Sequence, residues 1–145
     1  MDVVIKLKIR SLEPENWHIF VTGAIDGQKV NLVVDTGASH SCFDIDFISQ
    51  LYNNEEFEDG IGMNAGVGSN DLQAKIATLK KLKIGRFTLK DYTVVLLDLS
   101  HVNTVYKIAK KPVIQGIIGS DLLKKYGAVI DFKKAVMTLE RKREN

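Results

Sequence analysis

The sequence is poor in cysteine, in proline and in excess charge of either sign. Its 145 residues include one cysteine, Cys42, which excludes an intramolecular disulfide framework and a zinc site built from several cysteines. Only two prolines and no low-complexity tract argue against a collagen-like or disordered chain. Lysine and arginine number 20 against 18 aspartates and glutamates, so the net charge of +2 does not favour a nucleic-acid-binding protein.

Long hydrophobic runs are also missing. No uninterrupted apolar run reaches the roughly 18 residues that a membrane helix needs, and residues 1–6 lack the features of a signal peptide. We therefore expect a cytoplasmic protein with no membrane partner. The length favours a single domain over residues 1–145.

Alternation of apolar and polar residues predicts strands along most of the chain. Residues 17–24 and 29–34 form two strand candidates joined by Asp26-Gly27. This dipeptide is a strong hairpin signal, because the turn needs a positive φ that glycine adopts readily. Residues 72–84 and 86–97 predict a second pair of strands.

Three short helices are predicted, over residues 44–51, after Ser100 and from Ser120 onward. Both serines are predicted N-cap residues, because a hydroxyl oxygen can accept a hydrogen bond from a free N–H group of the first turn. The helix after Ser100 would carry Val102, Val105, Tyr106 and Ala109 on its apolar face. About eight strands and two or three short helices make the chain mainly β, with a small closed barrel as the expected architecture.

The most informative segment is an apolar strand that runs directly into Asp35-Thr36-Gly37. A carboxylate at the end of a buried strand is costly unless a partner or a reaction uses it, and Gly37 lets the chain turn sharply. The same triplet can also end a strand as a simple turn, with Asp35 accepting local backbone hydrogen bonds. The triplet alone leaves both interpretations open.

Three segments, taken in order, resemble the retropepsin-like (retroviral-type) aspartic proteases, including the cellular members. They are residues 33–39 (VVDTGAS), 65–69 (AGVGS) and 116–123 (GIIGSDLL). The resemblance spans about residues 17–139 and implies a small closed β-barrel of the retropepsin type. It also implies an aspartic endopeptidase acting on extended polypeptides, without a cofactor or a metal. Residues 98–111 depart from the pattern, since they form a longer segment than compact viral enzymes carry.

The resemblance implies a role for each matching residue. Asp35 would be the catalytic acid and base, supported by Thr36, Gly37 and Ala38. The implied substrate-binding residues are Gly37, the flap-tip residues Gly66, Val67 and Gly68, and Ile117 and Ile118 behind the catalytic loop. Family members with serine in place of Ala38 can donate a hydrogen bond that favours the charged carboxylate. Since alanine cannot, we expect a weakly acidic to neutral pH optimum.

Only one Asp-Thr-Gly triplet is present, whereas the reaction needs two carboxylates close enough to share one proton. Asp98 and Asp131 also follow apolar residues, but neither precedes Thr-Gly. The second catalytic aspartate must then come from a second copy. We therefore expect a homodimer with both Asp35 side chains at its two-fold axis.

Other candidate sites are weaker. An Asp–His–Ser triad through His40 and Ser39 or Ser41 is disfavoured, because adjacent residues of a strand point to opposite faces. His18 and His101 lack metal-ligand spacing to any partner. Two alternatives remain open: a retropepsin-fold binding or dimerisation module with little or no peptidase activity, and an unrelated small β-barrel.

Overall fold

The structure, a computed structural model, describes residues 1–53, 57–60 and 74–141. In chain order the elements of these ranges are β1 (Asp2–Lys6), β2 (Lys8–Glu13), β3 (Asn16–Ile25), β4 (Gln28–Val34), β5 (Cys42–Asp44), α1 (Ile45–Leu51), β6 (Glu58–Asp59), β7 (Lys75–Ile84), β8 (Phe87–Leu97), α2 (Ser100–Ile108), β9 (Gly116–Ile118), α3 (Ser120–Lys125), β10 (Val129–Asp131) and β11 (Val136–Glu140). The mainly β class is confirmed. None of these helices is both long and apolar enough to cross a membrane.

Six strands close into a β-barrel in the order β3, β4, β9, β5, β8, β7. The pairing of β3 with β7 completes the ring and sets Gly23 opposite Ile84. A Cβ at residue 23 would lie 2.2 Å from the carbonyl oxygen of Lys83, so glycine is what lets the two backbones meet there. The closed barrel expected from the sequence is therefore confirmed.

The Asp26-Gly27 hairpin forms as predicted between β3 and β4. Asp26 has a φ of 47° and Gly27 a φ of 85°, so both central residues of the turn adopt the left-handed region. Gly85, with a φ of 58°, lies in the turn between β7 and β8. These turn residues thus help to set the register of the β3–β4 and β7–β8 hairpins, which supply four of the six barrel strands.

A small sheet in the order β1, β11, β10 packs against the barrel. Its inner face adds the buried residues Ile5 and Met137 to the main hydrophobic core. On its outer face Val4 and Val129 lie opposite Thr138 from either side, and both valines are exposed. One face of this sheet therefore presents apolar side chains to solvent.

Both predicted serine caps are wrong by one position. The N-cap of α2 is Leu99, and the Ser100 N–H donates to the Asp98 Oδ1 at 2.9 Å, so the aspartate takes the capping role. The N-cap of α3 is Gly119. Val105, expected on the apolar face of α2, is 55% exposed, whereas Tyr106 of the same helix is buried.

Candidate active site

Asp35 lies one residue beyond β4, at the point where the chain leaves the barrel. Its backbone N–H donates to the carbonyl oxygen of Ile118 at 2.9 Å, which extends the parallel pairing of β4 with β9. Its side chain is exposed, and its Oδ1 accepts a hydrogen bond of 2.9 Å from the Gly37 N–H. The carboxylate is therefore held by backbone groups and is still accessible to solvent.

The loop that carries Asp35 connects β4 and β5, the two strands that flank β9. Val33 of β4 pairs with Ile117 on one side of β9, and Cys42 of β5 pairs with Ile117 on the other. Residues 35–41 connect these two strands and pass over the end of β9. Both ends of the loop are thus attached to the same three-residue strand.

Gly119 packs directly beneath this loop. A Cβ at residue 119 would lie 2.7 Å from the Ala38 carbonyl oxygen and 3.0 Å from the His40 carbonyl oxygen. The Ala38 oxygen also accepts the Ser120 N–H at 2.7 Å, which ties the loop to the first residue of α3. Glycine is required at residue 119 because the two backbones touch there.

A buried serine joins the end of the loop to β9 and α3. The Ser41 hydroxyl donates to the Asp121 Oδ1 at 2.7 Å and accepts the Gly119 N–H at 2.9 Å. The Ser41 N–H also donates to the Asp121 carboxylate, at 2.9 and 3.0 Å from its two oxygens. Since Ser41 is 2% exposed and engaged with Asp121, it is not placed to act as a nucleophile beside His40.

A cavity of about 410 Å³ opens beside Asp35 and Thr36. Apart from these two residues, the part of its wall that the structure describes is apolar or aromatic. The wall includes Trp17, His18, Val33, Val102, Tyr106, Ile114, Ile117 and Phe132. A carboxylate at the edge of an apolar cavity is suited to polarise or deprotonate a group bound beside it.

The predicted site residues fall into three groups. Thr36 and Ile117 line the cavity with Asp35, while Ala38 is half-buried in the loop. Ile118, expected at the substrate site, has a fully buried side chain and reaches the site through the carbonyl that accepts the Asp35 N–H. The flap-tip residues Gly66, Val67 and Gly68 lie outside the residues that the structure describes.

A family model described as aspartyl protease matches residues 21–122, well over half of the chain. The chain belongs to the aspartyl protease family. No curated protein sequence matches it significantly.

Solved structures of aspartyl proteases share the fold. A retropepsin-like aspartic protease from Rickettsia conorii has a TM-score of 0.60 at 18% identity, covering 96% of this chain and 89% of that one. The retroviral protease-like domain of Ddi1 from Leishmania major has a TM-score of 0.56 at 18% identity, covering 85% and 88%. The EIAV protease, complexed with the inhibitor HBY-793, has a TM-score of 0.54 at 22% identity, covering 78% and 91%. These likenesses establish the retropepsin fold expected from the sequence motifs.

Within this aspartyl protease fold, sequence reasoning missed the aromatic part of the cavity wall. From the sequence, Tyr106 is predicted only as part of a helix face, and His18 has no predicted partner. In the structure His18 Nδ1 and the Tyr106 hydroxyl lie 3.2 Å apart, at hydrogen-bond distance. Burial and then the charge of Asp35 raise the pKa of Tyr106. No local signal marks this pair, because 88 residues separate its members in the sequence.

Cys42 is buried and packs as a small hydrophobic residue. Burial, followed by the charges of Asp121 and Asp35, raises the pKa of its thiol to about 11. A thiol that stays protonated is a poor nucleophile. This cysteine therefore packs against the site and does not take part in it.

An acidic cluster forms where α1 and α2 begin. Asp44, Asp46 and Asp98 each offer a carboxylate oxygen, and these oxygens lie within 4.8 Å of one another. Two of the three already accept helix-starting N–H groups, Asp44 from Leu99 and Asp98 from Ser100. None of them lines the cavity beside Asp35, and we assign no metal to the cluster.

Proposed function

We propose that this chain is an aspartic endopeptidase that hydrolyses peptide bonds in extended polypeptides and works as a homodimer. The observation that carries the proposal is the exposed carboxylate of a single Asp-Thr-Gly triplet at the edge of an apolar cavity, on a residue whose backbone N–H donates to β9. The family and the fold support this reaction class.

In this proposal the reaction centre consists of two Asp35 carboxylates and one water. Two carboxylates about 3 Å apart cannot both ionise, so they share one proton. The ionised carboxylate takes a proton from the water as it attacks the peptide carbonyl, and the protonated one donates to the carbonyl oxygen. Their two proton affinities belong to the pair, not to one residue each.

The second carboxylate is assigned to a second copy because the other candidates serve local turns. Asp98 Oδ1 accepts the Ser100 N–H, and Asp131 Oδ1 accepts the Lys134 N–H at 2.9 Å. A two-fold interface sets a residue opposite its own copy, which is the arrangement that one Asp35 per chain requires. Thr36 would then brace the pair by hydrogen bonding across the axis.

The surface near Asp35 supports such an interface. Trp17 and Phe132 line the cavity, yet they are 60% and 61% exposed. Val4 and Val129 on the outer face of the small sheet are exposed as well. Large apolar side chains left in solvent are typical of surfaces that a partner covers.

The substrate is assigned by analogy with strand-like peptide recognition. An extended polypeptide would pair with backbone groups near Gly37 while its side chains enter the apolar cavity. The assignment of Gly66, Val67 and Gly68 to substrate binding stays a prediction from the family resemblance. The cytoplasmic location and the single domain over residues 1–145 stay predictions.

The test is proteolysis of an unfolded protein by the wild type, by Asp35→Asn and by a matched control, Asp91→Asn. Asp91 is exposed and has a φ of 51°, a conformation that asparagine also tolerates. We expect the wild type and the control to cleave alike, and Asp35→Asn to lose at least about a thousandfold in rate. Cleavage by Asp35→Asn would contradict the proposal. A wild type that cleaves nothing over a wide pH range would favour the inactive binding module.

A further inference from the structure

Lysines from three strands meet on the outer wall of the barrel, and we call this surface the basic face. Its members are Lys29 of β4, Lys81 and Lys83 of β7, and Lys90 of β8. Their chain neighbours Val30, Leu82 and Leu89 are buried, so the alternation of side chains along a strand turns the lysines outward. Lys83 is half-buried and the other three lysines are exposed.

The register of the sheet brings these lysines close together. Lys81 and Lys90 are paired directly across β7 and β8. Ala24 of β3 pairs with Lys29 on one side and with Lys83 on the other. Neighbouring strands lie about 4.8 Å apart, and residues two apart on one strand lie about 7 Å apart, so each of these lysines has another within roughly 10 Å.

The positive charge of the basic face is not balanced within the chain. None of its lysines forms an ion pair with another residue of the ranges 1–53, 57–60 and 74–141. Asp26 borders the face, but its carboxylate already accepts the Lys81 N–H at 3.1 Å and the Tyr52 hydroxyl. Asp91, next to Lys90, is the other bordering carboxylate, so the ammonium groups remain in excess.

The direct opposition of Lys81 and Lys90 is unfavourable for folding, because like charges on paired residues of two strands repel each other. A departure from such a local rule, without compensation elsewhere in the fold, is typical of a functional surface. An acidic partner would supply the compensation that the chain itself does not.

The side chains between the lysines indicate which kind of acidic partner fits. Ala24 and Thr88, which pair with Lys83 from either side, are small and leave the face flat. They offer no aromatic ring on which a nucleic-acid base could stack and no large apolar side chain that could enter a lipid bilayer. A polypeptide that carries carboxylates is therefore favoured over a nucleic acid or a membrane.

We propose that the basic face binds an extended, acidic segment of a partner polypeptide. In an extended chain, residues two apart point to the same side about 7 Å apart, which is also the spacing of Lys81 and Lys83. Acidic side chains at alternate positions would then each meet a lysine. The inference goes beyond the proposed cleavage site, because Lys29 is near the opposite end of β4 from Asp35, roughly 20 Å along the strand.

The test measures binding of a blocked, fluorescein-labelled octapeptide of Glu-Thr repeats by fluorescence anisotropy, at about 50 mM salt so that screening is weak. A Gln-Thr octapeptide is the uncharged control peptide. The full chain is compared with Lys81→Gln/Lys90→Gln and with a matched control, Lys8→Gln/Lys133→Gln. The control removes the same charge from exposed lysines outside the basic face.

The wild type and the control variant should bind the Glu-Thr peptide with similar affinity, and Lys81→Gln/Lys90→Gln should bind it at least about tenfold more weakly. None of the three should bind the Gln-Thr peptide. Equal weakening in both variants, or a wild type that does not bind the Glu-Thr peptide, would overturn the inference. Tighter binding of a single-stranded oligonucleotide or of phosphatidylserine vesicles than of the Glu-Thr peptide would overturn it as well.

Urea unfolding separates lost binding from lost folding. Removing the repulsion between the paired lysines should move the unfolding midpoint of Lys81→Gln/Lys90→Gln to a higher urea concentration at low salt, and the gain should shrink at high salt. A midpoint below that of the wild type would reject the repulsion from which the inference starts. Because binding is read without cleavage, neither measurement depends on the proposed peptidase function.

Discussion

Replacing Gly119 with alanine tests whether the contact beneath the catalytic loop positions Asp35. The new Cβ would lie 2.7 Å from the Ala38 carbonyl oxygen and 2.9 Å from the His40 carbonyl carbon. Both neighbours are backbone atoms, which cannot move aside as the end of a flexible side chain can. The loop therefore has to lift away from β9.

The size of the effect follows from these distances. Ordinary contact begins at 3.4 Å, so the loop must shift by about 0.7 Å if it alone yields. A misplacement of about 1 Å in a catalytic group costs on the order of a hundredfold in rate. We expect kcat/KM to fall by roughly 10 to 100-fold and the free energy of unfolding to fall by about 1–3 kcal/mol.

Gly27→Ala is the matched control. Gly27 has a φ of 85° and no neighbour within 4 Å of its would-be Cβ, so alanine there costs about 1–2 kcal/mol through backbone strain alone. It lies at the far end of β4 from Asp35. Urea unfolding and peptide cleavage should show both variants destabilised and only Gly119→Ala impaired in kcat/KM. Equal kcat/KM in the two variants would refute the reasoning.

Three further predictions concern residues around the site. Ser41→Ala removes the hydroxyl that bonds both Asp121 and the Gly119 N–H, and should lower the free energy of unfolding by about 1–3 kcal/mol. The control Ser39→Ala, at an exposed position, should lower it by about 0.5 kcal/mol or less. Equal losses in urea unfolding would contradict this prediction. Burial raises the pKa of the Cys42 thiol from 9.0 to about 11, so the thiol of the unfolded chain ionises at a lower pH than the thiol of the folded chain. The stability of the wild type relative to Cys42→Ala should therefore fall as the pH rises from 9.0 to about 11. Parallel curves of stability against pH would contradict this prediction. Ala38→Ser supplies a donor near the carboxylate and should move the acid limb of the pH–rate profile to lower pH, and an unmoved limb counts against that role.

Much of the fold can be predicted from short stretches of the sequence. The Asp26-Gly27 turn needs positive φ at two adjacent residues, and that requirement is visible in the dipeptide itself. The position of Asp35 at a strand end could be predicted in the same way, because the apolar residues 32–34 end β4 and Asp35 follows them directly. The order of the three family-like segments then indicated the closed barrel.

Features that depend on contacts between residues far apart in the sequence cannot be predicted in this way. Tyr106 became part of the cavity only because α2 is tied to Ile114 and meets His18 from the other end of the chain. Such pairings are set by tertiary packing, which a single sequence does not display.

The central claim is that each chain supplies half of a reaction centre, and mixing wild type with Asp35→Asn tests it most directly. At concentrations where the chain is dimeric, a fixed amount of wild type is incubated with increasing Asp35→Asn until the subunits have exchanged. If only dimers with two intact Asp35 residues work, an equal amount of the variant should lower the total rate to about half, and a threefold excess to about a quarter. A rate that stays constant as the variant is added would mean that one chain works alone and would contradict the account.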